Sequence, residues 1–436
     1  MMDFLIRPSV VICIVIPLFL IILAKLKNMI KTLSSPNPTN KLPKSYPIIG
    51  SFFALSKNRE RFVQWTSEIV TSTPNLTFHL QRTIGQKSII TANAANVQHI
   101  LKSHFHNYEK GDFFKNSLRD FLGDGIFNTD GEKWKFQRQV SSHEFNAKSL
   151  RKFVEHVVDA EITDRLNPIM QNAADNKLCS ISKTSFNDSL STTYEKFSLA
   201  FDKCVELSTK RFRSFIPYSW KIKRALNVGS EKQLKIAVAQ VRDIAKEIIG
   251  NKNKKIGHGK NSSDDDLLSR FLSSGHSDEN FVGDIVISFI LAGKDTTSAA
   301  LTWFFWLISN HPQVESEILR EINEKSSDTS LSAYDEVKDM VYTHASLCES
   351  MRLYPPVPVD TKAALKDDVL PDGTVVKKGM RVSYHPYAMG RVEKVWGKDW
   401  GEFRPERWLE KEEEDVKWRF VNRDLSGEES GWRRPA

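Results

Sequence analysis

The 436 residues carry 62 Lys plus Arg against 54 Asp plus Glu, a formal net charge of +8, with 40% hydrophobic and 27% charged residues. That length exceeds one ordinary hydrophobic core, and that composition excludes a collagen, a low-complexity polymer and a wholly disordered chain. The positive excess is dispersed, with no basic helix interleaved with aromatics, so no nucleic-acid partner is expected. Cys13, Cys179, Cys204 and Cys348 lie far apart without a C-x-x-C pair, which argues against a disulfide scaffold or a cysteine-based zinc site and for a reducing compartment.

In chain order, the first feature is the uninterrupted apolar run Val10 to Ala24, preceded by Arg7 and followed by Lys25, Lys27 and Lys31. About 20 apolar residues cover a bilayer core, and a snorkelling Arg7 extends this shorter run. A cleaved signal peptide would carry its positive charge ahead of the run, whereas here it follows, which keeps the C-terminal side cytosolic. Residues 1–24 are therefore read as a membrane anchor, with a buried core helix as the alternative. Residues 25–50 form a basic linker in which Pro36, Pro38, Pro43 and Pro47 forbid helix. This arrangement holds a soluble body against the cytosolic face of a membrane.

The body is expected to be mainly α with a small β-sheet region. Two strand-like runs, Leu76 to Gln81 and Lys87 to Thr91, flank a turn containing Gly85, and a further pair flanks Pro371-Asp372-Gly373. Helical spacing marks the stretch after Asp130, Glu231 to Ile249, a long apolar segment from Glu279 to Asn310, and Tyr334 to Leu353. The polar stretch Gly250 to Asp266 is expected to be an exposed loop. There is no G-x-x-x-x-G-K-[ST] or G-x-G-x-x-G, so the common nucleotide sites are not indicated.

Four local patterns carry chemistry. Trp134 and Arg138, spaced i,i+4, offer an indole N–H and a guanidinium to one carboxylate; an amphipathic core helix with an exposed Arg is the alternative. Ala292-Gly293-Lys294-Asp295-Thr296-Thr297 puts glycine and consecutive threonines in the middle of an apolar helix. A local opening is the natural result, suited to holding water and relaying protons from Asp295 and Thr296; the alternative is one helix ending near Gly293 and another capped by Asp295 or Thr296. Glu349 and Arg352 share a helix face ended by Pro355, and Phe403-Arg404-Pro405-Glu406-Arg407-Trp408 is a second charged cluster. If Arg407 meets Glu349 and Arg352, the two make one buried network pinning a loop to a helix; otherwise each is a solvated surface feature.

Together and in this order, the anchor, the Pro-rich spacer, W-x-x-x-R, A-G-x-D-T-T, E-x-x-R and F-x-P-E-R-[FW] resemble a microsomal cytochrome P-450, a haem-thiolate monooxygenase, from the anchor to about Trp408. NYEKGDFF, DFLGDGIFNTDGEKWKFQRQVSSHEFN and CESMRLYPPVPVD resemble the plant branch that oxidises the terminal carbon of fatty acids and fatty-acid-derived hormone conjugates. The resemblance implies that Trp134, Arg138 and Gly293 belong to the haem b site, with Trp134 and Arg138 on a propionate. It implies that Asp295 and Thr296 deliver protons, and that Glu349, Arg352 and Arg407 form a structural triad beneath the haem. It further implies omega-hydroxylation of a fatty-acid-like substrate, electrons from NADPH through a separate flavoprotein reductase, and an endoplasmic reticulum membrane location; with the body on the cytosolic side, as the flanking charges place it, Asn75, Asn187 and Asn261 are expected to stay unglycosylated.

One departure stands out. The family's axial cysteine lies in a Gly- and Phe-containing loop after the P-E-R element, whereas this sequence reads WLEKEEEDVKWRFVNRDLSGEESGWRRPA after Arg407, and neither Cys nor His follows His385. The expectation is a chain truncated before its haem ligand: 51–423 as a catalytic domain without its cysteine loop, 424–436 as an atypical tail, no metal ligand, no activity as written, and poor stability. The polar stretch between Asn176 and Tyr194, where the family has an apolar helix, adds to that last expectation. A non-catalytic membrane-anchored remnant that binds lipid or a partner protein is the second reading, and an unrelated helical membrane-tethered binding protein the third.

Overall fold

The computed structural model describes residues 42–142, 146–175, 189–212, 214, 218–257, 267–273, 278–325, 333–411 and 418–421. The chain divides into a unit over residues 1–43 and a second over residues 44–436. The expected anchor, most of the linker and the tail lie outside the described residues.

Numbered in chain order, the elements that carry the second unit are helix α1 (Phe62–Thr71), strands β1 (Thr77–Gln81), β2 (Lys87–Thr91) and β3 (Tyr108–Glu109), and helices α2 (Asp112–Leu122), α3 (Gly131–Ser142), α4 (Ser189–Phe212), α5 (Gly229–Gly257), α6 (Glu279–Ser309), α7 (Pro312–Lys325) and α8 (Val341–Leu353). Strands β4 (Asp360–Ala364), β5 (Asp368–Val369), β6 (Val375–Val376) and β7 (Arg381–Tyr384) and the short helix α9 (Pro386–Met389) follow. The body is mainly α with a small sheet, as expected.

The main sheet has the order β1-β2-β7-β4-β3. The β1–β2 hairpin is antiparallel, with Thr77 opposite Thr91 and Gln81 opposite Lys87. β2 runs parallel to β7, Ser88 opposite Arg381, and the connection between them carries most of the helices. Leu76 is not a strand residue: it takes φ 53°, a left-handed backbone unfavourable for leucine, and closes the turn into β1 instead. The pair around Pro371-Asp372-Gly373 forms as β5–β6, with Gly373 at φ 85° where a side chain would be strained.

Helix α6 starts where the Asp278 carboxylate accepts the Asn280 N–H at 3.0 Å. It is unbroken to Ser309 and so overturns both the opening at Gly293 and the helix end there. The Thr296 hydroxyl donates to the Ala292 carbonyl at 2.5 Å, bonding back within the helix and not displacing it. Its length and apolarity would suffice to cross a membrane, but Asp284 in its buried first half is paired with Arg242 of α5. Two boundaries also differ. Helix α5 runs on through Gly250 to Gly257, so the expected loop does not begin at Gly250; residues 258–266 of it lie outside the described set. The Tyr334–Leu353 segment is interrupted at Met340, whose ψ of 80° is non-helical, giving a short helix Ala333–Lys338 before α8. Among the described residues, one core cluster joins α2, α4, α5 and α6 through Phe121, Phe201, Leu234, Val241 and Ile287, and another joins α6, α7 and α8 through Leu307, Ile318 and Ala345.

Candidate functional site

Glu349 and Arg352 share one face of α8 because they are three residues apart. Both are withdrawn from water, and Arg352 grips the Glu349 carboxylate with two bonds of 2.7 Å. The 405–408 turn then delivers Arg407, whose Nε donates to Glu349 at 3.2 Å, the Arg404 backbone N–H at 3.1 Å and the Trp408 indole N–H at 3.0 Å. Arg352 spends its other donors on the carbonyls of Gly390, Trp400 and Glu402 and lies over the Trp396 ring. Arg407 donates to the carbonyls of Trp396 and Asp399. The two patterns occur together, and the solvated-turn alternative falls. A buried charge that meets this many partners fixes geometry; it has no capacity left for a ligand.

Helix α3 carries Trp134 and Arg138. Trp134 is half-buried, packs against Phe105 at 5.2 Å between ring centroids, and its indole N–H has no partner among the described residues. Arg138 is exposed and equally unpaired. The sequence patterns missed the two cations that join them. Lys110 lies 5.9 Å from the Trp134 ring and donates to the Thr129 carbonyl at 2.6 Å. Lys362 on β4 is close enough to lower the Lys110 pKa, although burial is the larger cause and Asp130 opposes both. Lys110 lay inside NYEKGDFF, but only the pairing of β3 with β4 brings it to Lys362, and no periodicity signals that.

Gly293, Asp295 and Thr296 lie midway along α6. A Cβ added at Gly293 would meet nothing within 4 Å, so the space beside it is open. Asp295 is half-buried and has no partner among the described residues, while Lys294 pairs with Asp202. Thr296 donates to Ala292, which leaves its oxygen free to accept. Beyond these residues the helix shows an apolar face to solvent: Phe305 is 64% and Trp306 50% exposed, and Trp303 stacks on Tyr354 at 3.8 Å.

A family model described as "Cytochrome P450" matches residues 41–422. The chain belongs to the cytochrome P450 family. It is 56% identical over 401 residues to cytochrome P450 94A1 of Vicia sativa, covering 88% of this chain and 77% of that one. It is 55% identical over 427 residues to cytochrome P450 94A2 of the same plant, covering 93% and 82%, and 46% identical over 401 residues to cytochrome P450 94B1 of Arabidopsis thaliana, covering 88% and 78%. Cytochromes P450 are haem monooxygenases that take electrons from NADPH through a reductase.

The residues present fit that cofactor on one side. A partly desolvated lysine, Lys110, paired with Asp130, the neighbouring Lys362, an unpaired indole N–H and an unpaired guanidinium around Trp134 are a donor set that suits the carboxylates of haem. On the iron side the described thiols do not fit. Cys204 sits inside the α4–α5 core, where burial pushes its thiol up to about 12; Cys348 is pushed up to about 11 by burial and the neighbouring Glu349 carboxylate. Neither is a thiolate at neutral pH. Among the described residues no cluster of His, Cys, Asp and Glu could hold a metal ion.

Proposed function

We propose that this chain is shaped for oxidation of the terminal carbon of fatty acids or fatty-acid-derived conjugates, at the cytosolic face of the endoplasmic reticulum membrane, with residues 1–24 as anchor and a separate flavoprotein reductase as electron donor. The observation that supports this reading is an acid without a partner among the described residues, Asp295, next to an alcohol free to accept, Thr296, with open space beside Gly293 on an otherwise apolar helix. Haem supplies oxygen activation when bound. This chain's own residues would do the rest: Trp134, Arg138, Lys110 and Lys362 would hold its carboxylates, and Asp295, through its carboxylate oxygens, with Thr296, accepting at Oγ1, would pass protons toward it. The Glu349–Arg352–Arg407 network fixes the loop beneath.

A second reading is favoured by one observation: residues 349–436 contain no cysteine, and the described thiols upstream are held neutral. A polypeptide limited to these residues would then bind aliphatic lipid without turning it over. The carbon-monoxide difference spectrum of the reduced, haem-supplied protein separates the two, since a thiolate-type band refutes the second reading and its absence supports it. A chimera continuing after Trp408 with the C-terminal region of the Vicia sativa 94A1 relative tests the first. With reductase and NADPH it is expected to convert long-chain fatty acids to terminal alcohols, and a thiolate-type band without such products refutes the substrate assignment.

A further inference from the structure

Residues 147–175, between α3 and α4, form one helical run in which two turns are wider than the rest. Its α segments Ala147–Phe153, Asp159–Glu161 and Asn167–Asp175 are joined by π turns at Val154–Val158 and Ile162–Leu166. In these the Asp159 N–H reaches back to the Val154 carbonyl and the Asn167 N–H to the Ile162 carbonyl. Each π turn takes in one extra residue, and Pro168, which has no N–H to give, follows the second of them. Leu150, Phe153, Val157, Ile162, Leu166 and Met170, spaced three, four, five, four and four residues apart, therefore stand one per turn on a single line. All six are exposed, from 39% at Leu150 to 54% at Met170. No side chain between Val154 and Leu166 is buried. Arg151 ties the first turns to the body, pairing with Asp335 at 2.7 Å and lying over the Tyr334 ring.

Helices in proteins draw most of their stability from packing an amphipathic face, and among the described residues nothing buries this one. The charges beside the stripe indicate what fits it. The first half of the run carries Lys148, Arg151 and Lys152 against Glu155; the second carries Asp159, Glu161, Asp164 and Asp175 against Arg165. One end is basic and the other acidic, so the surface that complements the run is the run itself, turned end for end. About a two-fold axis near Ala160, Leu150 meets Met170 of the second copy, Phe153 meets Leu166 and Val157 meets Ile162, while Glu155 comes to Arg165 and His156 to Asp164. Asp159 and Glu161 bring like charge to the axis, and Arg165 offsets one of the two at 2.8 Å. A parallel pairing would set basic against basic and acidic against acidic, and a partner of a single charge sign would be repelled along half of the length.

We propose that residues 147–175 are a homodimerisation surface, on which a second copy of this chain lies antiparallel with the two apolar stripes in contact across a two-fold axis at Ala160. From Leu150 to Met170 the contact is about 30 Å long. The same patch serves both copies, so the contact closes on itself and yields a dimer, not a fibre. Ala160, the small residue at the axis, lets the two backbones approach where they cross. The pairing asks nothing of haem or substrate and so stands or falls apart from the reaction proposed above.

The test is the oligomeric state of the full-length chain in an excess of nonionic micelles, by sedimentation velocity over a concentration series, together with disulfide trapping under mild oxidation. The wild type is expected to be a dimer. Phe153→Glu and Leu166→Glu are each expected to raise the dissociation constant about a hundredfold or more, because a symmetric contact loses each residue twice. Both are expected to leave the melting temperature of the dissociated chain unchanged, because both positions are exposed within one copy. Lys152→Glu and Asp164→Lys are each expected to weaken the dimer about threefold to tenfold, and the two together to restore much of it. Ala160→Cys is expected to form a covalent dimer that the wild type, with its own four cysteines, does not; Ser149→Cys and Gln171→Cys are expected to cross-link two copies only when combined in one chain. A monomeric wild type overturns the proposal, and shielding of Ala160→Cys from a thiol reagent in that monomer would assign the face to the chain's own residues, 176–188 being the adjoining segment. A dimer that survives both Glu variants overturns this face as its seat, and trapping through Ser149→Cys alone overturns the antiparallel arrangement.

Discussion

Arg352 and Arg82 are both arginines drawn away from water, and their surroundings treat them oppositely. Around Arg352 the chain supplies a carboxylate with two bonds of 2.7 Å, three backbone carbonyls and an aromatic face. Around Arg82 it supplies another arginine and a sealed Nε. Removing a charge from water costs several kcal/mol in either case, so the partners decide what the arrangement is for. A saturated cluster holds the fold in one geometry, whereas an unsaturated one leaves donors unspent and weakens the fold.

The strongest way to break this comparison is at Glu349. Glu349→Gln keeps the shape and removes the negative charge that Arg352 and Arg407 share, leaving Arg352 a desolvated cation without a carboxylate while Arg407 keeps Asp399 at 2.8 Å. A loss of about 3–5 kcal/mol is expected, read as a fall in melting temperature or as loss of soluble protein. A change smaller than about 1 kcal/mol by chemical denaturation would make this network ornamental. Gly390→Ala attacks the same cluster by volume: its Cβ would sit 2.2 Å from the Arg352 carbonyl, and a loss of about 1–3 kcal/mol is expected.

Next in size is His385, a buried group that is satisfied only while neutral. Its Nδ1 accepts the Ala388 N–H at 3.1 Å and its Nε2 lies 3.0 Å from Thr66 Oγ1, which donates to the Phe62 carbonyl at 2.7 Å. The imidazole is therefore an Nε2–H donor linking α9 to α1. Burial, assisted by Arg391, holds its pKa down to about 4 against an ordinary 6.5. Because the folded value is the lower one, the unfolded chain takes up the proton first. The contribution is fully present above about pH 6.5, declines as pH falls, and amounts to about 3 kcal/mol lost by pH 4. His385→Gln should flatten the slope of stability against pH over that interval, and an unchanged slope would assign the acid sensitivity elsewhere.

How far the sequence foretold this depends on the range of the interaction. The long helices, the β1–β2 hairpin and the Glu349–Arg352 pair are set by spacings of a few residues, and all were legible. Arg407 was legible only as a conditional, since its partner is 58 residues away. Lys110, Arg82 and Arg381 were not, because nothing local marks a lysine or arginine as desolvated; the β3–β4 and β2–β7 pairings do that from opposite ends of the chain. The motif at Gly293 misled for a different reason. Local propensity favours an opening there, but the threonine hydroxyl bonds back to Ala292 and the helix persists.

Replacing Arg82 by leucine sharpens the comparison with its sign. Where Glu349→Gln destabilises, Arg82→Leu removes an unpaired desolvated charge and a repulsion with Arg381, and a gain of about 1 kcal/mol is expected by denaturant unfolding. A loss of that size would mean that Arg82 has a structural partner and that the contrast with Arg352 is false.

The smallest effect belongs to Arg320, which has as many carboxylate partners as any arginine in the buried clusters: Glu324 at 2.6 Å and Glu317 at 2.9 Å. All three are exposed on α7, so water screens the pairs and competes for them, and ordering three long side chains takes back much of the Coulomb gain. Arg320→Ala is expected to cost less than about 0.5 kcal/mol, and less still as salt is raised past the range where the Debye length falls below the pair separation. Were it to cost as much as Glu349→Gln, the number of ion pairs would govern stability here. A small, salt-sensitive effect instead shows that burial and completeness of the partners set the value of an arginine in this fold.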